Sequence, residues 1–451
     1  MRNDAPTRQA IALISDDADP AIDTNRQEAG ERNIYVRRVG EALAKVGWRV
    51  DMFTRRTDPD APTVVQHSPH CRTIRLDAGP AALIPRDQRF DVLPEFLEDF
   101  LKYQSKEHYP LVHTSYWTAG WVGLQLKQQH NLQLVHTYHS LGVLKYQPGV
   151  ARSAIADRRI DIEQQVLELA DCIIATSPQE KDTLHQLMSA QGTVEIVPAG
   201  TDLDTFHTMP QTEARQRLGL SSQEPMVLYV GRFDARKGIE TLVRAFAQLP
   251  DSLHKARLVI VGGDDPAQDN RQERQRIERI VRELQLGDRI DFVGQVGHER
   301  LPTYYTAADV CVIPSQYEPF GLVALEAMAC GTPVVASNTG GLRFTVVPEE
   351  TGLLVPPEDV AGFAKAIERV LTDQIWAQKL KSQAPARVQQ NFSWTGVAVR
   401  LSDVYRRIMA QSISHEQLWC PINPAEPAVA SASASAVAPD QPESSTIQTV
   451  S

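Results

Sequence analysis

The sequence alternates short apolar, β-branched runs with helical patterns, and this alternation constrains the fold more than any other feature. Between the first two runs, apolar residues recur at steps of three and four from Tyr35 to Val46, which marks one face of a helix. Strands that alternate with helices indicate a parallel sheet with helices on both faces. The strands predicted in the first half of the chain are 11–15, 50–53, 111–113, 134–137, 172–176 and 194–197.

The alternation pauses and then begins again, which predicts a second domain of the same α/β class. Residues 197–206 contain Pro, Gly and Asp and are typical of a linker. A chain of 451 residues also exceeds what one hydrophobic core usually serves. Because ligands of open parallel sheets bind beyond the carboxyl ends of the strands, two facing sheets would form a cleft. The later predicted strands are 226–230, 258–261, 290–293, 310–314 and 333–336.

These patterns give the domain organisation. We predict a first doubly wound domain at residues 1–205, a second at 206–391 and a helix at 392–411. Residues 412–451 are rich in Ala, Ser, Pro and Gln and hold too little large apolar surface to fold. We therefore expect a disordered tail there.

Composition argues against several classes of protein. The 56 acidic residues against 46 Lys and Arg give a net charge of −10, which argues against a general affinity for nucleic acid or anionic membranes. No apolar stretch is long enough to span a bilayer, and the N-terminus lacks the features of a secretory signal, so a cytoplasmic location is expected. The five scattered cysteines lack the spacing of a zinc site or a redox pair.

A basic loop follows the first strand of the second domain. It carries Arg232, Arg236 and Lys237 and then opens a helix, which places cations beside the free N–H groups of a helix start. Arg can grip two phosphate oxygens while Lys acts as a movable point charge, so the loop suits a diphosphate. A solvated basic loop without a ligand is the alternative.

Two acids eight residues apart form the second candidate constellation. A helix predicted to begin near Phe320 is apolar on every face except at Glu326, and a buried carboxylate needs a partner. Sugar and ribose hydroxyls are suitable partners, because a carboxylate can accept two hydrogen bonds from a vicinal diol. Glu318 lies just ahead of the helix start, where the helix dipole can help to organise a sugar and a phosphate. A Glu326 paired with an arginine is the alternative.

Together these motifs resemble the family 4 retaining glycosyltransferases of the GT-B fold. The resemblance is carried by Gly231-Arg232 with Lys237-Gly238, by Glu318 with Glu326, and by Ala-Cys-Gly-Thr-Pro-Val-Val-Ala-Ser at 329–337 followed by Gly340-Gly341. It extends to about Met409. The N-terminal half looks most like the branch of sucrose-phosphate synthases and of inositol-phosphate N-acetylglucosaminyltransferases of mycothiol synthesis. The matching runs there are Asn-Ile-Tyr-Val-Arg at 33–37, Val-His-Thr-Ser-Tyr-Trp at 112–117 and His-Thr-Tyr-His-Ser-Leu-Gly-Val-Leu-Lys at 136–145.

The resemblance implies a retaining, metal-independent transferase without a cofactor. It would move a hexose from a nucleotide-diphosphate sugar, with UDP-glucose as the first expectation, to a small sugar, sugar phosphate or polyol. The first domain would lie on the acceptor side, the second would bind the donor, and the last helix would pack back toward the first domain.

The resemblance also implies roles for individual residues. Arg232 and Lys237 would bind the diphosphate, Glu318 the hexose and Glu326 the ribose, and His139 would reach the donor sugar near the reacting carbon. The other implied donor-binding residues are Gly30, Gly231, Phe320, Gly321 and Leu322, and the implied acceptor-side residues are Asn33, Tyr116, Lys145, Arg159 and Glu163.

Two groups of residues keep simpler interpretations open. His113 and His136 can be core histidines bonded to their surroundings, as is common near strand ends. Arg159 and Glu163 can equally be an exposed helical ion pair four residues apart.

One position departs from the pattern of the branch, which has paired glycines in the first loop. Here Gly30 is kept, but Glu31 stands in place of the second glycine. A Cβ and a carboxylate at this position would crowd a phosphate or change the loop's preference for an anionic acceptor. We expect Glu31→Gly to change acceptor choice or raise turnover, and unchanged kinetics across an acceptor panel would contradict this.

Two other functions are compatible with the architecture. A GT-B protein that binds nucleotide or sugar without turnover would show donor binding by calorimetry but no product. A phosphorylase would need a lysine that holds pyridoxal phosphate near its end, and the sequence contains no such motif.

Overall fold

The computed structural model describes residues 8–22, 30–85, 87–130, 132–146, 153–221, 224–263 and 271–418. Its helices and strands fall into two α/β halves. The strands are β1 (Ala10–Ile14), β2 (Arg49–Arg55), β3 (Val64–Ser68), β4 (Cys71–Leu76), β5 (Leu111–Ser115), β6 (Gln133–Thr137), β7 (Cys172–Ala175), β8 (Val194–Ile196), β9 (Met226–Val230), β10 (Arg257–Val261), β11 (Ile290–Gly294), β12 (Val310–Ile313), β13 (Val334–Ser337) and β14 (Gly352–Val355). The helices are α1 (Glu31–Lys45), α2 (Leu93–Glu107), α3 (Trp117–His130), α4 (Gly142–Lys145), α5 (Ala154–Leu169), α6 (Pro178–Leu187), α7 (Gln211–Leu218), α8 (Ile239–Ala247), α9 (Arg271–Glu283), α10 (Leu301–Ala307), α11 (Leu322–Ala329), α12 (Leu342–Thr345), α13 (Val360–Thr372), α14 (Gln374–Asn391) and α15 (Trp394–Leu418).

The first sheet has the strand order β3-β4-β2-β1-β5-β6-β7-β8. Its neighbouring strands run parallel except for the antiparallel pair β3 and β4. Strands β1, β5 and β7 are buried along their whole length, as expected of a sheet covered on both faces. The order reverses between β1 and β5, so the loops after these two strands diverge and leave a crevice at their carboxyl ends.

The second sheet has the order β11-β10-β9-β12-β13-β14, and all its neighbouring strands are parallel. Its order reverses between β9 and β12. The basic loop after β9 and the loop that leads to α11 therefore meet at this second crevice.

Every strand predicted from the sequence is present, and three further strands were missed. β3 and β4 contain alternating polar residues at the edge of the sheet, and the apolar run of β14 is only three residues long between Gly352 and Pro356, so none of them forms a long apolar run. Helix α11 begins at Leu322 instead of near Phe320, because Gly321 has a φ of 89°, which no helix continues. The last helix was predicted to stop at 411 but runs to Leu418, since residues 411–418 contain no Gly or Pro. The remainder of the predicted tail, 419–451, lies outside the described residues.

The chain crosses between the two halves at two adjacent places. The N–H of Thr201 donates to the carbonyl of Phe392 at 2.7 Å, so the outgoing and returning segments run side by side. Helix α15 then packs on α1. The indole N–H of Trp48 donates to Ser402 at 2.9 Å, which fixes the last helix on the first half as predicted. Within the described ranges, no helix has both the length and the apolar character needed to cross a membrane.

Candidate active site

The basic loop after β9 forms a tight turn in which its three cations have different exposure and different partners. The carboxylate of Asp234 accepts hydrogen bonds from the backbone N–H of Arg236 at 3.0 Å and from its guanidinium at 2.6 Å. The side chain of Arg236 is therefore held by Asp234 of the same turn, and the residue is exposed to solvent. Arg232 lies exposed at the mouth of the loop, and Lys237 is half-buried at the base.

Glycines allow this loop to press against the two neighbouring strands. A Cβ at Gly238, which has a φ of 69°, would collide with the carbonyl oxygen of Pro314. A Cβ at Gly262 would likewise collide with the carbonyl oxygen of Gly231. The N–H of Gln316 donates to the carbonyl of Arg236 at 2.8 Å and links the two loops. The crevice of the second sheet is thus one tightly packed unit.

Lys237 and Glu318 meet in this crevice. The ammonium of Lys237 donates to Oε2 of Glu318 at 2.7 Å, and the hydroxyl of Ser315 lies 3.3 Å from the same oxygen. Glu318 is only 4% exposed, and its backbone carbonyl accepts a hydrogen bond from Gly341 at 2.9 Å. Because an ammonium has three N–H donors, Lys237 can hold Glu318 and a phosphate at the same time.

Among the described residues, Glu326 has two polar partners, and neither is an arginine. The hydroxyl of Tyr305 donates to Oε2 at 2.7 Å, and Nε2 of His298 lies 3.6 Å from Oε1. Within these residues the structure therefore does not show the arginine pair of the alternative interpretation. The Glu326 side chain is 15% exposed, so its carboxylate still reaches open space from the apolar helix α11. Burial raises the pKa of Tyr305, and the charge of Glu326 adds to this effect.

The start of α11 holds three of the residues to which the resemblance assigns donor binding. Phe320 is buried, and its carbonyl accepts a hydrogen bond from Thr345 at 3.1 Å. Gly321 is the N-cap residue, and Leu322 is half-buried in the first turn. A side chain at Gly321 would collide with Leu342, so this residue allows the loop to pack.

His139 lies at the facing edge of the first sheet. It has a φ of 62°, a strained conformation that is frequent at functional sites. Burial lowers its pKa to about 3, with the positive charge of Arg32 as the next cause, so the ring is neutral at pH 7. Among the described residues, the buried Nε2 of His139 has no hydrogen-bond partner. A ligand hydroxyl could satisfy it.

Tyr116 lies at the carboxyl end of β5 between two guanidinium groups. Its φ of 81° is again strained. The guanidinium carbon of Arg32 is 4.1 Å from the ring centroid, that of Arg159 is 5.0 Å away, and Arg159 donates to the hydroxyl at 3.3 Å. Arg32 was missed in the sequence, because its proximity to Tyr116 follows from the order reversal between β1 and β5.

Arg159 and Glu163 form a buried ion pair at 2.6 Å, with side chains 2% and 1% exposed. The alternative of an exposed helical pair is therefore wrong. The guanidinium also donates to the carbonyl of Ser140 at 2.8 Å, and Glu163 accepts a hydrogen bond from the N–H of Gly142 at 2.7 Å. The pair thus fixes the loop that leads to the exposed Lys145 at the end of α4.

The first loop is held by Asn33. Its side-chain oxygen accepts a hydrogen bond from the N–H of Gly30 at 2.9 Å, and its amide donates to the carbonyl of Asp19 at 3.0 Å. Gly30 has extended backbone, and a Cβ there would come no closer than 3.6 Å to Asn33. Glu31 is the first residue of α1, and its side chain lies outside the described part of the structure.

Two adjacent aspartates, both missed in the sequence, lie after β1 at the carboxyl end of the first sheet and bind neighbouring side chains there. Asp17 is 6% exposed and pairs with Arg32 at 2.7 Å and with Arg89 at 2.6 Å. Asp16 accepts a hydrogen bond from Thr118 at 2.7 Å. Burial and the charge of Asp17 raise the pKa of Asp16 to about 7. Their signal in the sequence was only their position directly after β1.

His113 and His136 belong to the core, as the simpler interpretation predicted. His113 hydrogen-bonds to Tyr405 at 2.5 Å and to Thr137 at 2.9 Å, and His136 hydrogen-bonds to Thr114 at 2.8 Å. Burial lowers the pKa of His113 to about 3 and that of His136 well below its usual value.

The two crevices face each other. Tyr317, next to Glu318, is half-buried, and burial raises its pKa. The charges of Glu180 and Glu163, which belong to the first half, contribute to this shift. The loop that carries Glu318 therefore lies near the wall formed by α5 and α6.

Solved structures share this architecture. A sucrose-phosphate synthase from Thermosynechococcus elongatus has a TM-score of 0.83 and 55% identity, covering 90% of this chain and 100% of that one. Anabaena HepE has a TM-score of 0.69 at 19% identity, covering 88% of this chain and 99% of that one, and supports the fold alone. The fold and its facing crevices define a GT-B protein, as the sequence predicted.

The family follows from sequence comparison. The model described as Glycosyltransferase Family 4 matches residues 33–205, and that described as Glycosyl transferases group 1 matches residues 210–387. A D-inositol 3-phosphate glycosyltransferase from Kineococcus radiotolerans is 35% identical over 423 residues, covering 88% of this chain and 95% of the relative. The chain therefore belongs to the family 4 glycosyltransferases, which confirms the resemblance.

Proposed function

We propose that this protein is a retaining, metal-independent glucosyltransferase that moves glucose from UDP-glucose to a small sugar phosphate. The observation that carries the proposal is the Lys237–Glu318 pair at one crevice, opposite the two guanidinium groups on Tyr116 at the other. The first set suits a sugar diphosphate and the second suits an anionic acceptor.

The donor lies on the second domain in this proposal. Arg232 and Lys237 bind the diphosphate and stabilise the charge that develops on it as it leaves. Glu318 accepts hydrogen bonds from hexose hydroxyls, and Glu326 accepts them from the ribose. The neutral His139 hydrogen-bonds to the donor sugar through Nε2.

The acceptor phosphate lies at Tyr116. Guanidinium groups bind phosphate through paired, charge-assisted hydrogen bonds, and Arg32 and Arg159 are held on this ring by Asp17 and Glu163. Lys145 adds a positive charge at the rim. Two relatives support a phosphorylated acceptor by their names, which refer to sucrose phosphate and inositol 3-phosphate. At 55% identity, the first makes fructose 6-phosphate the leading candidate.

The reaction keeps the configuration of the sugar in this proposal. The acceptor hydroxyl attacks the face of the anomeric carbon that the diphosphate vacates, and its proton passes to a departing phosphate oxygen. The sugar–phosphate C–O bond breaks as the new glycosidic bond forms. The residues of the chain serve to orient both substrates and to neutralise the leaving group.

The test is turnover with purified protein. UDP-, ADP- and GDP-glucose are each combined with fructose 6-phosphate, inositol 3-phosphate and the two unphosphorylated acceptors, with EDTA present in half the samples. We expect product from UDP-glucose and fructose 6-phosphate, an α-glucosyl linkage by NMR and no effect of EDTA. If the protein binds a donor but no donor–acceptor pair gives product, the result would instead support a protein that binds nucleotide sugar without turnover.

A variant pair tests the acceptor site. Arg32→Ala should raise the KM for the phosphorylated acceptor roughly tenfold while leaving the donor KM near wild type, because one charge-assisted contact is lost. Arg37→Ala is the matched control, since Arg37 lies on the same helix and pairs with Glu41. Equal acceptor KM values for both variants would contradict the assignment.

A further inference from the structure

The segment that joins the two sheets carries a buried aromatic residue beside the donor site. Phe206 lies between β8 and α7 and is 1% exposed. Its ring centroid is 4.8 Å from that of His298 and 5.9 Å from that of Tyr305, edge to face in both cases. Both of these side chains contact the carboxylate of Glu326. One ring thus supports both partners of this acid.

The two partners are held to different degrees. Tyr305 is fully buried, and its carbonyl accepts a hydrogen bond from Thr332 at 2.6 Å, so its backbone is fixed independently. The side chain of His298 is 18% exposed and lies in the loop after β11. Contact with Phe206 therefore restrains His298 more than it restrains Tyr305.

The same segment is tied to the first domain. The N–H of Phe206 donates to the carbonyl of Asp202 at 2.7 Å. The carboxylate of Asp202 accepts hydrogen bonds from Arg38 at 2.6 Å and from Thr205 at 2.9 Å. Since Arg38 belongs to α1, a continuous chain of contacts leads from that helix through Phe206 to Glu326.

We propose that Phe206 is a positioning residue for the nucleotide ribose, because it holds His298 and Tyr305 in the places from which they orient Glu326. The inference rests on the proposed role of Glu326 in the donor site. A smaller side chain would free His298, and Tyr305 to a lesser degree, and let the carboxylate turn away from the diol. The loss of affinity should therefore depend on the ribose hydroxyls and leave the diphosphate contacts of Arg232 and Lys237 unchanged.

The experiment compares two ligands that differ only in these hydroxyls. Calorimetry measures the Kd of UDP and of 2′,3′-dideoxy-UDP for the full chain and for Phe206→Leu. We expect the wild type to prefer UDP by at least about tenfold, because the dideoxy ligand lacks both hydroxyls from which Glu326 accepts, and the variant to prefer it by about twofold. In a Glu326→Gln background, Phe206→Leu should cause no further change in this ratio.

Two further variants separate positioning from packing. Phe363→Leu removes the same atoms from a buried site in a different core cluster and should lower stability while keeping the tenfold ratio. His298→Ala does not empty the core and should reduce the ratio as Phe206→Leu does, which keeps the test informative if the Phe206 variant fails to fold.

The outcomes distinguish this inference from the proposed function. A wild type that binds both ligands equally would overturn the ribose role of Glu326, and the inference with it. A wild type that prefers UDP, with Phe206→Leu and His298→Ala keeping that preference, would overturn the inference alone.

Discussion

Lys237 and Arg236 are adjacent cations, but we expect only Lys237 to be important for turnover. Lys237 contacts the buried Glu318, whereas Arg236 is exposed and bound to Asp234 in its own turn. We expect Lys237→Ala to lower kcat by at least about a hundredfold, because charge on the leaving group is no longer neutralised. Arg236→Ala should stay within about threefold of wild type. Steady-state kinetics on folded proteins checks both, and similar losses would show that the loop acts as a whole.

Asp16 makes stability depend on pH. Its folded pKa of about 7 lies above the usual aspartate value of 3.8, because burial and the charge of Asp17 disfavour the charged form. Between these values the folded state binds more protons than the unfolded state, so the contribution of Asp16 to stability falls as pH rises from about 4 to 7 and is constant above.

Asp16→Asn should remove this loss, since an amide oxygen can still accept from Thr118. Denaturant unfolding should show that the free energy of unfolding of the variant, relative to that of wild type, rises by up to roughly 4 kcal/mol between pH 4 and pH 7. A stability difference that does not change with pH would contradict the assignment.

At the scale of elements, the contact between the β9 and β10 loops shapes the crevice of the second sheet, where we propose that the donor binds. Gly262→Ala would push its Cβ into the carbonyl oxygen of Gly231 and displace the residue before Arg232. We expect at least a tenfold weaker affinity for UDP by calorimetry and a loss of about 2 kcal/mol in stability.

Gly287→Ala is the matched control. Apart from Gly287 itself and its two chain neighbours, no described residue comes within 4 Å of a Cβ at this position, and its φ is not in the left-handed range. This variant should bind UDP as wild type does. Wild-type affinity in Gly262→Ala would show that the loop tolerates displacement.

The sequence predicted elements and contacts unequally, for physical reasons. Buried parallel strands need continuous apolar runs, so β9 was predicted with its bounds, whereas the polar edge strand β3 was missed. Lys237 and Glu318 could be singled out as candidates because each belongs to a local motif, and the structure places them in contact. The partners of Glu326 were missed, because Tyr305 and His298 come from separate segments that only tertiary packing unites.

At the scale of the whole molecule, α15 holds the first domain together. The hydroxyl of Tyr405 and Nδ1 of His113 share a buried hydrogen bond. Tyr405→Phe leaves the histidine nitrogen without this partner, which should cost about 1–3 kcal/mol in denaturant unfolding.

Tyr103→Phe is the control for this change, since Tyr103 is a half-buried aromatic residue that packs on Phe53 in the same domain. It should lose less than about 0.5 kcal/mol. Equal stability of the two variants would show that the hydrogen bond to α15 contributes nothing.

The hydrogen bond between Thr201 and Phe392 also describes how the molecule is connected. The second half is inserted between two parts of the first half, and its two ends lie side by side. The elements from β1 to β8 precede it, and α15 follows it. During synthesis the second half is complete before α15 is made. The first half therefore completes its packing only after the second half. Because Thr201 and Phe392 are neighbours in space, we expect that replacing the second half by that of a relative would not separate distant parts of the first half.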